Sequence, residues 1–104
     1  MTERLAALQA MLAQAPTDAF VHYAIALEHG TVSLTDGIAK LSELRTTHPT
    51  YLPTYYRLAA WQDDAGLAQA AIATAQAGLA LADSQQAKHA ATELRALLDS
   101  LLTD

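Results

Sequence analysis

Two of the four histidines, His22 and His29, are seven residues apart, which places them two turns apart on one face of a helix. Imidazole is a common zinc ligand, so this pair raises the question of a metal site. Zinc needs a third and a fourth ligand, and no further ligand follows at helical spacing. We therefore interpret His22 and His29 as half-buried structural residues, expect His48 and His89 at the surface, and predict no metal and no cofactor.

The other residue patterns that support catalysis do not occur in the sequence. The chain has no cysteine, which excludes thiolate nucleophiles, thiolate metal sites and disulfides. It contains no phosphate-binding loop, no nucleophile elbow and no dinucleotide-binding glycine pattern. Its carboxylates are scattered, with no pair in an apolar run that would split their pKa values. We predict that the protein is not an enzyme.

Composition indicates a single domain and argues against nucleic acid as a partner. The chain has 104 residues, a net charge of −5 and 52% hydrophobic residues, which suits one compact domain. Nucleic acid is an unfavourable partner, because only six residues are basic and they are not clustered.

Neither a leader nor a membrane span is predicted. Residues 1–8 place charge where a signal peptide needs an apolar core. Residues 65–82 carry no charge, but they are rich in alanine and are flanked by aspartates without a basic bias. We interpret this stretch as a buried helix and expect a cytoplasmic protein with no membrane contact.

The elements that must position any site are helices. Apolar residues recur at helical spacing, and no run alternates with period two. The predicted helices run from about 2 to 14, 18 to 29, 34 to 47, 51 to 64, 67 to 82 and 85 to 102. Thr17, Ser33 and Thr50 are the predicted N-caps, and Gly30 is the predicted end of the second helix. Leu5, Leu8, Met11 and Leu12 form the predicted apolar stripe of the first helix.

An internal repeat organises these helices. Pro16-Thr17 recurs 33 residues later as Pro49-Thr50, and Tyr23 recurs at the same offset as Tyr56. Beyond the turn the offset is 34 residues, where Ile38 matches Ile72. The sequence therefore predicts a half unit, two helix–turn–helix units and a closing helix.

These units resemble the tetratricopeptide repeat, a helical pair of about 34 residues. The family order is an aromatic residue, a leucine–glycine pair, a second aromatic, a small residue, a phenylalanine and a proline. The second unit fills this order with Tyr55, Leu58-Ala59, Gln62, Ala71, Ala75 and Asp83. The first unit fills it with His22, Ile25-Ala26, His29, Gly37, Leu41 and Pro49.

The resemblance implies an all-α fold in which antiparallel helical hairpins stack as a short right-handed superhelix. It implies one domain over residues 1–104. That domain comprises a half unit at 1–15, repeats at 17–49 and 50–83, and a capping helix at 84–102.

In such a stack the first helix of each pair lines the concave side. The faces expected there form what we call the predicted groove: Phe20, Tyr23, Ala24, Leu27, Pro53, Tyr56, Arg57, Ala60 and Asp64. Tyrosine and arginine are enriched at binding hot spots, so we expect a peptide or a short helix to bind there. The alternative is that the closing helix covers this face, or that it is ordinary surface.

The resemblance thus predicts a non-catalytic adaptor or scaffold that binds a protein partner. Family members that hold a terminal carboxylate use a polar clamp, of which only Arg57 is present, so a more apolar partner is expected. The competing hypothesis is self-assembly, in which a homodimer forms through an open end or through the last helix, with contacts from Leu94, Leu98, Leu101 and Leu102. The expected oligomeric state is a monomer or a weak homodimer.

Overall fold

The computed structural model describes residues 2–103, so Met1 and Asp104, the ends of the predicted domain, lie outside the described residues. Six helices follow one another: α1 Glu3–Gln14, α2 Ala19–Val32, α3 Leu34–Thr47, α4 Pro53–Asp64, α5 Ala68–Ser84 and α6 Lys88–Thr103. No strand occurs between residues 2 and 103, and the predicted all-α class is confirmed. None of the six helices has the length and apolarity needed to cross a bilayer.

Side-chain caps define where three of the helices begin. The Thr2 hydroxyl accepts from the Leu5 N–H at 3.0 Å, and the Ser33 hydroxyl accepts from the Asp36 N–H at 3.2 Å. The predicted cap Thr17 is wrong, because the Asp18 carboxylate accepts from the Phe20 N–H at 2.9 Å. Each cap satisfies an N–H group that has no partner inside its helix.

Two predicted boundaries also differ from the structure. Helix α2 continues through Gly30 to Val32, because a glycine inside a helix costs only about 1 kcal/mol. The break comes at Ser33, whose extended backbone ends α2 and begins α3. Helix α4 begins at Pro53 rather than near Tyr51, with proline in the first turn, where its missing N–H is not needed.

The helices form two compact units, divided along the chain between Pro49 and Thr50. In the first unit α1 packs on α2, and α2 packs on α3. Leu8 of α1 is buried against Val21, Ala24 and Ile25 of α2, with Leu5 and Leu12 beside it. An ion pair between Arg4 Nε and Glu28 Oε1, 2.6 Å apart, also joins α1 to α2.

Met11 does not belong to this core. Its side chain is 49% exposed, although the apolar stripe of α1 predicts burial. Around the helix, Leu5 and Leu12 lie on one side of Leu8 and Met11 lies on the other. The contact with α2 is centred on the side of Leu5 and Leu12.

In the second unit α5 packs between its chain neighbours α4 and α6, and α6 also contacts α4. Tyr55, Ala82 and Leu94 form the buried cluster, with partly buried leucines and alanines around it. Gly78 lets α5 approach α4 closely, since a Cβ at this position would lie 2.6 Å from the Tyr55 Cβ. The division of the chain into a half unit, two repeats and a capping helix stays a prediction.

Two turns of the second unit share one hydrogen-bonding pattern. After α4 the Leu67 N–H donates to the Gln62 carbonyl at 2.8 Å, and the Gly66 N–H donates to that of Asp63 at 2.9 Å. After α5 the equivalent bonds run from Ala87 to Ala82 and from Gln86 to Asp83. This is the Schellman motif, in which the residue after the helix takes a left-handed conformation. Gly66 (φ 80°) and Gln86 (φ 57°) occupy that position.

Candidate functional site

The first part of the predicted groove lies on α2, where four residues share one face at helical spacing. Phe20 is 58% exposed, and Tyr23 and Leu27 are half-buried. Ala24 is only 5% exposed, because α1 packs over it through Leu8. Ala24 is therefore a core residue of the first unit, and its predicted place on an open surface is wrong.

The second part lies on α4. Pro53, Arg57 and Asp64 are exposed, Tyr56 is 42% exposed, and Ala60 is half-buried. These five residues follow one face of the helix from its first turn to its last residue. The face therefore presents an aromatic ring, a cation and, at its end, a carboxylate.

Arg57 is held by a residue that the sequence analysis overlooked. Its guanidinium carbon lies over the Trp61 ring, 5.7 Å from the ring centroid. Such a cation–π contact restrains the arginine while leaving its N–H groups able to donate. The sequence indicates this contact, because Arg57 and Trp61 are four residues apart and such residues are neighbours on a helix. Trp61 extends the aromatic surface of α4 beyond Tyr56.

The α2 residues belong to the first unit and the α4 residues to the second. The structure describes each of these two faces on its own helix. That the two faces form one concave groove stays a prediction.

Two of the histidines, His22 and His48, have structural contacts in the first unit. The Nε2–H of His22 donates to the Pro16 carbonyl at 2.8 Å, and that of His48 donates to the Thr17 carbonyl at 2.9 Å. The two rings lie near each other, with centroids 5.9 Å apart. His48, predicted at the surface, is half-buried because this bond ties it to the α1–α2 turn. Within residues 2–103, no three histidine or acidic side chains are placed to hold a metal ion.

The bond from His48 has a counterpart in the second unit. There the Gln85 Nε2–H donates to the Thr50 carbonyl at 2.9 Å. His48 and Gln85 each follow the second helix of a hairpin, and Thr17 and Thr50 each precede the first helix. We call these two contacts the hairpin-closing hydrogen bonds. They occupy corresponding places in the two hairpins, with an imidazole as the donor in one and an amide in the other.

Comparison with known proteins identifies similar solved structures, including two from Salinibacter ruber. One is the solution structure of a tetratricopeptide repeat domain protein from Salinibacter ruber, with 29% identity and a TM-score of 0.78. The likeness covers 83% of this chain and 88% of that one. The other is the crystal structure of a tetratricopeptide repeat domain protein from the same organism, with 28% identity and a TM-score of 0.76. It covers 81% of this chain and 96% of that chain.

These likenesses are found by comparing structures, and comparison of sequences gives a different result. No family model matches the chain, and no curated protein matches it either.

Proposed function

Because the chain is a small tetratricopeptide repeat protein, we propose that it is a non-catalytic module that binds a segment of a partner protein. Folds of this type generally serve as scaffolds for protein interactions. The proposed binding surface consists of the exposed faces of α2 and α4, and the proposed location is the cytoplasm. The expected partner segment is an extended peptide or a short helix with apolar side chains.

The observation that carries this proposal is the exposure of Phe20 and Tyr56. The chain has only six aromatic residues, and these two large rings stand open to solvent on the first helix of each predicted repeat. A partner that covers an exposed aromatic ring removes its apolar surface from water, and this burial favours binding. Arg57, which lies over Trp61, adds a residue type that is frequent at hot spots.

Two short helices offer a limited surface. The area buried on binding is expected to be at or below about 1,200 Å², the range of weak or transient complexes. We therefore expect weak or transient binding, because a small interface must still offset the entropy of association.

A displayed library of random peptides, selected on the immobilised chain, tests this proposal. We expect selected peptides to be rich in apolar residues and to lose about tenfold in affinity for Phe20→Ala and for Tyr56→Ala, measured by fluorescence anisotropy. Val32→Ala is the matched control, because Val32 is an exposed apolar residue of α2 outside the proposed surface. Circular dichroism verifies that each variant is folded.

The proposal fails if the selected peptides bind Phe20→Ala and Tyr56→Ala as tightly as the parent. It also fails if Val32→Ala weakens binding as much as they do, because the loss of affinity would then not be specific to the proposed surface.

Self-assembly through α6 is a second candidate, and the exposure of Leu102 favours it. This side chain is 58% exposed, next to the half-buried Leu98 and Leu101. Leu94 cannot take part as predicted, since it is 2% exposed and packed in the core of the second unit. The contact with a second copy would therefore be confined to the last turn and a half of α6.

A further inference from the structure

A cavity of about 650 Å³ lies in the first unit between α1, α2 and α3. Its apolar lining comes from Leu12 of α1, Ile25 of α2 and Leu44 of α3, together with Pro16 from the turn between α1 and α2. Among its polar residues are three of the four histidines of the chain. Eight of the twelve lining residues are polar and four are apolar. A cavity of a few hundred cubic ångströms that combines apolar surface with polar groups can hold a small ligand.

The polar groups of this cavity divide into occupied and available ones. His22 and His48 already donate to the Pro16 and Thr17 carbonyls, so they form part of the wall. The side chains of His29 and Lys40 also line the cavity. Neither has a hydrogen bond or an ion pair with any residue between 2 and 103. One imidazole and one ammonium group are therefore available to a ligand.

We propose that this cavity binds a ligand that combines an apolar body with a carboxylate group. The ammonium of Lys40 attracts the carboxylate, and an N–H of the His29 ring donates to it. The apolar body packs against Leu12, Ile25 and Leu44. This site uses none of the residues of the predicted groove, so it does not depend on the proposed function.

Glu43 provides a test of the charge assignment. It lines the same cavity and lies three residues after Lys40 on α3, so its charge opposes a bound carboxylate. Both side chains belong to exposed residues, so we expect α3 to remain folded when either charge is removed. Lys40→Gln should weaken binding, and Glu43→Gln should strengthen it.

Phenylacetate is the probe, and phenylacetamide is its neutral counterpart of nearly the same shape. Both are titrated into the full chain at low salt, and binding is measured from amide chemical shifts. We expect shifts confined to α1, α2 and α3, with phenylacetate binding about tenfold more tightly than phenylacetamide. Lys40→Gln should remove most of this difference, and Glu43→Gln should enlarge it.

His29 is tested by two substitutions. His29→Gln keeps an N–H donor and should retain most of the affinity, whereas His29→Leu removes the donor and should reduce it several-fold. Lys88→Gln on α6 is the control for a change of net charge, because Lys88 is an exposed lysine outside this cavity.

Three results would overturn the proposal. Equal affinity for the acid and the amide would show that no cation binds the carboxylate. If Lys40→Gln and Lys88→Gln weakened binding equally, the net charge of the protein would explain the attraction, and Lys40 would have no specific role. Shifts centred on α4, α5 and α6 would place the ligand elsewhere. Phe20→Ala and Tyr56→Ala should bind phenylacetate like the parent, which separates this test from that of the proposed function.

Discussion

Two kinds of residue give the sharpest tests of the fold: a glycine with no space for a side chain, and a residue with a side chain in an unfavourable backbone conformation. Gly78 and Gln86 show the two cases. At Gly78 the constraint is distance, because the backbone of α5 approaches a side chain of α4. At Gln86 the constraint is backbone conformation, because a residue with a Cβ adopts the left-handed helical region, which favours glycine.

Gly78→Ala should destabilise the protein although alanine is the better helix former. The added methyl group would lie 2.6 Å from the Tyr55 Cβ and 3.1 Å from the Leu94 Cδ2, so the helices must separate. Overpacking of this kind costs about 1–3 kcal/mol, against a gain of about 1 kcal/mol in helix propensity. The Tyr55 Cβ cannot move aside by side-chain rotation, so we expect a cost near the upper end of this range and a net loss of stability. Urea unfolding followed by circular dichroism measures the difference. A variant as stable as the parent would contradict the close approach of α5 to α4.

Gln86→Gly should stabilise the protein, and Gly66→Gln should destabilise it. Both residues follow a helix in the left-handed position of a Schellman motif, and neither contributes a hydrophobic contact to a core cluster. Glycine relieves the steric cost of positive φ, and the expected change is about 0.5–1 kcal/mol at each site. Thermal unfolding of the two variants should therefore shift in opposite directions. A shift in the same direction would contradict the shared geometry of the two turns.

At the scale of elements, pairs of helices are joined by polar contacts that replace family side chains. Gln62 stands where the family pattern has its second aromatic residue. It is buried, and the Thr74 hydroxyl donates to its Oε1 at 2.7 Å. This hydrogen bond joins α4 to α5 inside an apolar environment, where an unpaired polar group is costly.

A double-mutant cycle on this pair should show strong coupling. Thr74→Val removes the donor and leaves the Gln62 carbonyl oxygen without this buried partner, at a cost of about 1–3 kcal/mol. Gln62→Leu removes the acceptor of this hydrogen bond from the Thr74 hydroxyl. The double variant should be closer to the parent than the sum of the single changes, because two apolar groups then face each other. Additive free energies of unfolding would show that the two side chains do not depend on each other.

Helix number, helix type and most helix bounds could be predicted, because they follow from local periodicity, capping residues and proline. Helix α3 begins and ends where the sequence indicates. The misplaced end of α2 shows the limit of this reasoning. Gly30 is a good local stop signal, but the following residues continue the helix until Ser33 can cap the next one.

The candidate site could be predicted only as two helix faces. Spacing placed Phe20, Ala24 and Tyr23 on one face, but spacing does not say which neighbour covers that face. Ala24 is buried because α1 packs over it, and this depends on contacts between elements. The cavity beside His29 was missed for the same reason, since its lining comes from three helices and the turn between the first two.

At the scale of the whole molecule, peptide binding and self-assembly require different solution behaviour. Binding a partner through α2 and α4 requires only one copy of the chain. Assembly through α6 requires a second copy seated on the last turns of that helix, where Leu102 is exposed. One exposed leucine with two half-buried neighbours offers far less than the roughly 800 Å² per partner of a standard interface.

We therefore expect a monomer whose apparent mass does not change with concentration. Light scattering at two concentrations about a hundredfold apart measures this directly, since such a range would reveal a dimer with a dissociation constant between them. Leu102→Glu is the diagnostic variant, because a charge on this exposed side chain would disrupt contact between copies while leaving the core cluster around Leu94 untouched. A mass that rises with concentration and returns to that of the monomer in Leu102→Glu would support self-assembly through α6. That result would make the open aromatic rings of α2 and α4 a secondary feature of the molecule.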